Sequence, residues 1–193
     1  MKLTSLSVSD LLAAFRSSEP TPGGGSAAAL SGAVGASLLA MVAGLPKPRG
    51  TGEADLTRLS EAGGRCTALA IQLEELIDQD SAAYDLVVGA FRLPKNSEEE
   101  KTARTAAIQR GLTAAIEAPL LVMRGCAEAL DLAPVVADLG NPNAASDTQV
   151  AVGLLRAGLH GARHNVEINL GSLKDQDYIG GVRREVESLI ASR

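Results

Sequence analysis

Apolar and polar positions repeat at helical spacing along nearly the whole chain, and proline and glycine mark where the repeats stop. Leu11, Leu12 and Phe15 form the apolar side of a short helix that Ser9 or a neighbour starts and that Pro20 and Pro22 end. An uncharged run of mostly Ala, Gly, Ser, Leu and Val, Ala27 to Leu45, predicts a second helix, closed by the loop from Pro46 to Gly52. No proline interrupts Asp55 to Phe91, so a long third helix is expected, ended by Leu93-Pro94. Ser97 followed by Glu100 is a capping-box signature for a fourth, which Pro119 kinks or divides from a segment through Leu130. Pro134 to Asn143 reads as a connection. Ser146, with Gln149 at N3, then caps a helix continuing over Val150 to Leu170, and a last helix covers Asp175 to Ile190.

Two stripes place polar groups where a simple core would exclude them. Cys66, Ala70, Leu73, Ile77, Asp80, Tyr84 and Val87 share one face of the long helix. A carboxylate on such a face needs hydrogen bonds or a positive partner, so Asp80 is either a structural acceptor or a group that meets a ligand or moves a proton. Tyr84 fits packing with a satisfied hydroxyl better than catalysis. The second stripe reads Asp147, Val150, Leu154, Ala157, Gly161, His164 and Ile168. Asp147 suits the first turn of a helix through the dipole alone, yet Asn141, Asn143 and Ser146 beside it supply donors and acceptors for a heterocycle. His164 fits a satisfied contact better than acid–base chemistry, and His160 and His164 belong to no zinc motif.

The start of the Gly/Ala helix is chemically open. Gly23, Gly24 and Gly25 expose backbone N–H groups that bind anions or polar ring atoms, and Gly32, Ala33, Ala36 and Ala40 let a neighbouring helix or a flat ligand come close. The same run carries no charge, but its small residues and the lack of a positive region before it favour a buried central helix over a membrane span.

Composition narrows the class. The chain has 193 residues, 46% hydrophobic and only 2% aromatic, which disfavours a β-sandwich or barrel and predicts an all-α fold. The expected architecture is a compact bundle of long antiparallel helices, one domain over residues 1–193, with no sign of a repeat. A net charge of −5 with no continuous basic patch argues against nucleic acid and anionic membrane as partners. Cys66 and Cys126 stand alone, without CxxC, and read as buried thiols in a reducing, cytoplasmic setting.

Four segments in order resemble the cyclodeaminase/cyclohydrolase family: Pro20 to Ala29, Asp78-Gln79-Asp80-Ser81-Ala82-Ala83-Tyr84, Leu93-Pro94-Lys95 followed by Glu98 to Lys101, and Gly140-Asn141-Pro142-Asn143 with Ser146-Asp147. The resemblance implies an all-helical homodimer acting on a one-carbon tetrahydrofolate, a reduced folate taken as substrate, with no permanently bound cofactor and no metal. It implies Asp80 and Asp147 as candidate catalytic carboxylates, and Lys95, Asn141, Asn143 and Ser146 around the folate. Gly23, Gly24, Gly25 and Ser26 would supply a close backbone approach, and Lys47 and Arg49 cations for a glutamate tail, although Pro46 and Pro48 depart from the family's usual loop. The implied reaction is hydrolysis of 5,10-methenyltetrahydrofolate to 10-formyltetrahydrofolate. The alternatives are formimidoyltetrahydrofolate cyclodeamination, with release of ammonia, and a non-catalytic folate-binding or helical scaffold protein.

Overall fold

Helices account for nearly all of the structure, a computed structural model that describes residues 2–47, 51–191 and 193, with no β-strand among them. They are α1 (Val8–Phe15), α2 (Gly24–Gly44), α3 (Glu53–Phe91), α4 (Glu98–Leu139), α5 (Ala145–Leu170) and α6 (Gln176–Ile190). Arg49, one of the expected tail contacts, lies outside the described residues.

The helix starts follow side-chain chemistry, with two corrections. Ser97 and Glu100 form the expected capping box, and the Asp175 carboxylate caps α6 by accepting the Tyr178 N–H at 3.0 Å. Ser7, not Ser9, caps α1, accepting the Asp10 N–H at 3.2 Å. Ser146 is no cap. A 3-10 turn over Pro142–Ala144 already leads the chain into α5, so Ser146 falls within the first helical turn.

Helix α4 continues through both prolines rather than ending near Leu130. Each proline removes one ladder hydrogen bond and strains the preceding turn. Ala118, Pro119, Leu120, Val122 and Met123 around the first, and Ala133 and Val136 around the second, are all buried, and that packing outweighs the local cost.

Small residues let α2 run through the middle of the bundle. A Cβ on Gly32 would stand 2.6 Å from the Cys126 sulfur of α4, and one on Gly35 would stand 2.9 Å from the Ala151 carbonyl oxygen of α5. On the α5 side, a Cβ on Gly158 would lie 2.9 Å from the Ala28 carbonyl oxygen and 3.1 Å from the Gly32 nitrogen. Ala28 therefore faces Gly158 while Gly35 faces Ala151, which makes the two helices antiparallel. Helix α3 also runs antiparallel to α2, with Ser26 beside Asp80 at one end and Ala43 beside Gly63 at the other. By length and composition α2 could cross a bilayer, but half of its apolar stretch is buried inside the bundle.

The α5 stripe is displaced from the expected one. Its buried face is Thr148, Ala151, Leu155, Gly158, Leu159, Ala162, Val166 and Leu170, whereas Val150, His164 and Ile168 are exposed. The contacts with α2 decided the register: Ala151 and Leu155 meet Gly35, and Gly158 meets Ala28 and Gly32. On α3 the stripe is buried through Ile77 and then leaves the core, so Tyr84 is exposed and does not pack inside.

These contacts give opposite outcomes for two glycines of α5. Gly158→Val should lower the free energy of unfolding by about 2 kcal/mol or more, because the added carbons push against backbone. Gly153 has nothing within 4 Å of its would-be Cβ, so Gly153→Ala should raise stability by about 0.5–1 kcal/mol through helix propensity. Denaturant titrations of both variants check the pair.

Candidate active site at the start of helix α2

Asp80 comes off α3 directly against the first turn of α2. A Cβ on Gly25 would stand 2.0 Å from Asp80 Oδ1 and 2.4 Å from its Cγ, so any residue but glycine would displace the carboxylate. The first ladder bond of α2 is made by the Ala27 N–H to the Gly23 carbonyl at 3.1 Å. The N–H groups of Gly24, Gly25 and Ser26 precede it and have no partner along the helix, which makes this end positive and receptive to an acceptor.

Ser26 anchors the carboxylate. Its side chain is fully buried, and its hydroxyl oxygen lies 3.0 Å from Asp80 Oδ2, 2.9 Å from the Ile77 carbonyl oxygen and 3.2 Å from the Ser81 hydroxyl. The Ser26 hydroxyl therefore faces Asp80 and the protein, not the solvent side where a ligand would lie. Burial pushes the Asp80 carboxyl above its ordinary range, while the Ser26 hydroxyl and backbone N–H pull it part of the way back. A carboxylate raised by burial and still reachable is suited to taking up and returning a proton.

Asn165 of α5 closes another side of this helix start. Its Nδ2 would lie 3.7 Å from a Cβ on Gly24 and donates to the Gly161 carbonyl at 3.0 Å, which leaves the carboxamide oxygen as an oriented acceptor. Sequence reasoning passed over it, since the expected α5 stripe ran through His164 instead. The signal was present in the spacing Ala151, Leu155, Gly158, Ala162, Asn165, which follows the α2 contact.

Lys47, Asn141, Asn143, Ser146 and Asp147 lie toward the opposite end of α2, about 30 Å away by helical rise. The Asn141 amide donates to the Pro46 carbonyl at 2.8 Å and its Oδ1 accepts the Asn143 N–H at 3.0 Å, pinning the α4–α5 turn to the end of α2. Asn143 and Ser146 are exposed, and Asp147 sits half-buried in the first turn of α5. Lys47 spends its ammonium on the last carbonyls of α2, donating to Ala43 at 2.6 Å, to Val42 at 3.4 Å and to Leu45. That bonding caps the negative end of α2, and burial pulls the Lys47 pKa below its usual value. Lys95 is exposed in the α3–α4 turn, beyond the Asp80 end. Within one chain, then, Asp80 meets the Gly23–Ser26 helix start, Lys95 lies past the end of α3 with no contact to either, and Asn141, Asn143, Ser146, Asp147 and Lys47 do not join them.

His164 is exposed, 4.0 Å from Glu167 and away from Asp80's packing. Cys66 and Cys126 are free and buried, and burial pushes their thiols up to about 11 and about 12, so neither is a ready nucleophile. Among the described residues no three His, Cys, Asp or Glu side chains gather where they could hold a metal ion.

Fold and site define a class: an all-helical protein with a half-buried carboxylate held against the start of a central helix. Residues 7–188 match the family described as Formiminotransferase-cyclodeaminase. The chain is 43% identical over 187 residues to a methenyltetrahydrofolate cyclohydrolase of Methylorubrum extorquens, covering 95% of this chain and 88% of that protein. It is 35% identical over 173 residues to the rat formimidoyltransferase-cyclodeaminase, covering 88% of this chain but 31% of that longer protein. The crystal structure of a formiminotetrahydrofolate cyclodeaminase from Thermotoga maritima superposes with a TM-score of 0.83 at 28% identity, covering 98% of this chain and 91% of that one. The chain therefore belongs to the cyclodeaminase/cyclohydrolase family of folate enzymes.

The raised proton affinity of Asp80 has a consequence for stability with a definite sign. Above the ordinary range of an unfolded Asp, about 3.9, the folded chain holds this proton more tightly than the unfolded chain does. The group's contribution is thus greatest at acid pH and is lost as pH rises through the raised value. Asp80→Asn removes the buried charge, so the variant should melt at or above the wild-type temperature at pH 8 and lose that relative advantage toward pH 4. A variant weaker than wild type at pH 8 but equal to it at pH 4 would show a carboxylate stabilised in its charged form.

Proposed function

We propose that this protein is a methenyltetrahydrofolate cyclohydrolase, a cytoplasmic homodimer that takes folate as substrate rather than as a resident cofactor. The observation that carries the reading is Asp80 lodged against Gly25, a negative group at a site opened by the absence of a side chain. The name of the Methylorubrum extorquens relative supports the same reaction.

The chemistry follows from the substrate's charge. The bridging carbon of 5,10-methenyltetrahydrofolate belongs to a cationic amidinium, and the Asp80 carboxylate favours that cation. Asp80 accepts a proton as a water oxygen bonds to the carbon, giving a neutral adduct. It returns the proton to N5 as the C–N5 bond breaks, while the adduct's hydroxyl loses its proton to solvent and becomes the formyl carbonyl. One proton is released overall. The N–H groups at the start of α2 and the Asn165 carboxamide offer hydrogen bonds to ring heteroatoms, and Lys95 offers a cation to a ring carbonyl or the glutamate tail.

Pairing of two copies accounts for the division of the candidate residues. Helix α2 leaves Val34 43% and Met41 41% exposed beside the half-buried Leu30 and Leu38, and α1 carries Val8 and Leu12 exposed and buries no residue of its own. An apolar face of this kind on a soluble bundle suits a partner. A two-fold axis across it sets the two α2 helices antiparallel and brings the Asp80 end of one protomer to the Asn141, Asn143, Ser146 and Asp147 end of the other. Light scattering at micromolar concentration should give twice the chain mass.

The likeness to the Thermotoga maritima cyclodeaminase keeps a second reaction in play: N10 attacks the N5-formimino carbon and ammonia leaves, with the same carboxylate handling the proton. Folate absorbance and ammonia release, followed with each substrate in turn, separate the two. Asp80→Asn should remain a folded dimer and lose turnover by about 10²-fold or more. Mixing inactive Asp80→Asn and Asp147→Asn chains under exchange conditions should restore about a quarter of wild-type activity, since half of the dimers then carry one intact site. Mixtures no more active than either variant would mean that no site combines Asp80 of one protomer with Asp147 of the other.

A further inference from the structure

Three oxygens surround one hydroxyl proton at Ser26. The hydroxyl lies within hydrogen-bond distance of both Asp80 Oδ2 at 3.0 Å and the Ile77 carbonyl at 2.9 Å, and it can donate to only one of them at a time. The Ser81 hydroxyl, 3.2 Å away, can donate into the Ser26 oxygen and leaves that single proton free to turn. Ser26 is wholly buried, so no water substitutes for either acceptor.

We propose that Ser26 is the positioning residue for Asp80, a two-position hydroxyl that donates to the carboxylate while Asp80 is ionised and turns to the Ile77 carbonyl when Asp80 takes up a proton. The inference rests on the reading of Asp80 as the proton-handling group and says how its two protonation states are held. In the ionised state Ser81 donates to Ser26 and Ser26 to Oδ2. Oδ1, the oxygen pressed toward Gly25, faces the helix start and receives the proton. Oδ2 is then a weaker acceptor, and the Ser26 proton moves to Ile77, so neither state buries an unsatisfied hydroxyl. No proton leaves Ser26, and the only bond formed or broken to hydrogen is the one at Asp80.

The surroundings of Asp80 make this hydroxyl decisive. From α2 come the Ser26 hydroxyl and backbone N–H, from α3 the Ser81 hydroxyl and the Ile77 carbonyl, and across Gly24 from α5 the Asn165 amide. No charged side chain among the described residues shifts Asp80; the opposing influences are burial and Ser26. Asp78, on the same helix, is turned the other way and holds the Leu3 N–H at 2.5 Å and the Thr4 hydroxyl at 2.8 Å.

The test is Ser26→Ala, with Ser26→Cys as the conservative variant, in the intact dimer. The ¹³C resonance of the Asp80 carboxyl is titrated beside the pH dependence of kcat/KM for methenyltetrahydrofolate hydrolysis. Ser26→Ala should raise the Asp80 titration midpoint by about one pH unit, a tenfold rise in proton affinity, and move the acidic limb of kcat/KM upward by the same amount. Ser26→Cys, a weak donor in the same place, should fall between Ser26→Ala and wild type. An Asp80 titration that does not move in a folded Ser26→Ala protein overturns the proposal, whatever happens to the rate. A moved titration with an unmoved rate profile upholds the positioning role and instead removes Asp80 from proton transfer. If Ser26→Ala fails to fold, Ser26→Cys decides by the same two curves, an unmoved titration again overturning the proposal.

Discussion

Everything in this molecule depends on the backbone of α2 being allowed to touch its neighbours. Gly32 and Gly35 on α2 and Gly158 on α5 leave room for a carbonyl, a thiol and a peptide nitrogen where side chains would normally stand. That closeness fixes how far α2 slides between α3 and α5, and so places its first turn beside residue 80 and nowhere else. Around those contacts the core is filled by aliphatic side chains, Leu39, Leu69, Leu73, Ile116, Met123 and Leu155 among them, in a chain that is only 2% aromatic.

The same constraint turns a helix end into chemistry. Gly25 serves the site as Gly32 serves the core, by omitting a Cβ, but the space is filled by a carboxylate instead of a sulfur. Burial raises the carboxylate's proton affinity and the Ser26 hydroxyl lowers it, so the balance is set by two residues that are neighbours in space and 54 apart in sequence. Carboxyls raised by burial cluster at functional sites, and the family to which the chain belongs is one of folate enzymes.

Much of this was legible in the sequence, for reasons that can be traced. The capping box at Ser97, the long proline-free α3 and the Asp175 start of α6 are local signals, and local signals survive folding. Asp80 stood out because its spacing put an acid on an apolar face. What failed were features settled by tertiary contact: α4 runs through Pro134 because its surroundings are buried, and α5 takes the register that its small residues allow against α2. Asn165 was lost with that register. The separation of Asp147 from Asp80 was equally invisible, since periodicity says which face a residue occupies and not which end of the bundle it reaches. Lys47 read as a free cation in a loop, whereas the nearest unsatisfied acceptors were the carbonyls of its own preceding helix.

A site assembled from the two ends of α2 in two copies of the chain is the central claim, and a crystal structure with a stable reduced folate, 5-formyltetrahydrofolate, tests it most directly. The pteridine should lie over Gly24 and Gly25 with Asp80 in hydrogen-bond reach of its ring nitrogens, and the Asp147 touching the same molecule should belong to the other protomer. A folate bound away from the start of α2, or enclosed by residues of one chain alone, would contradict the account.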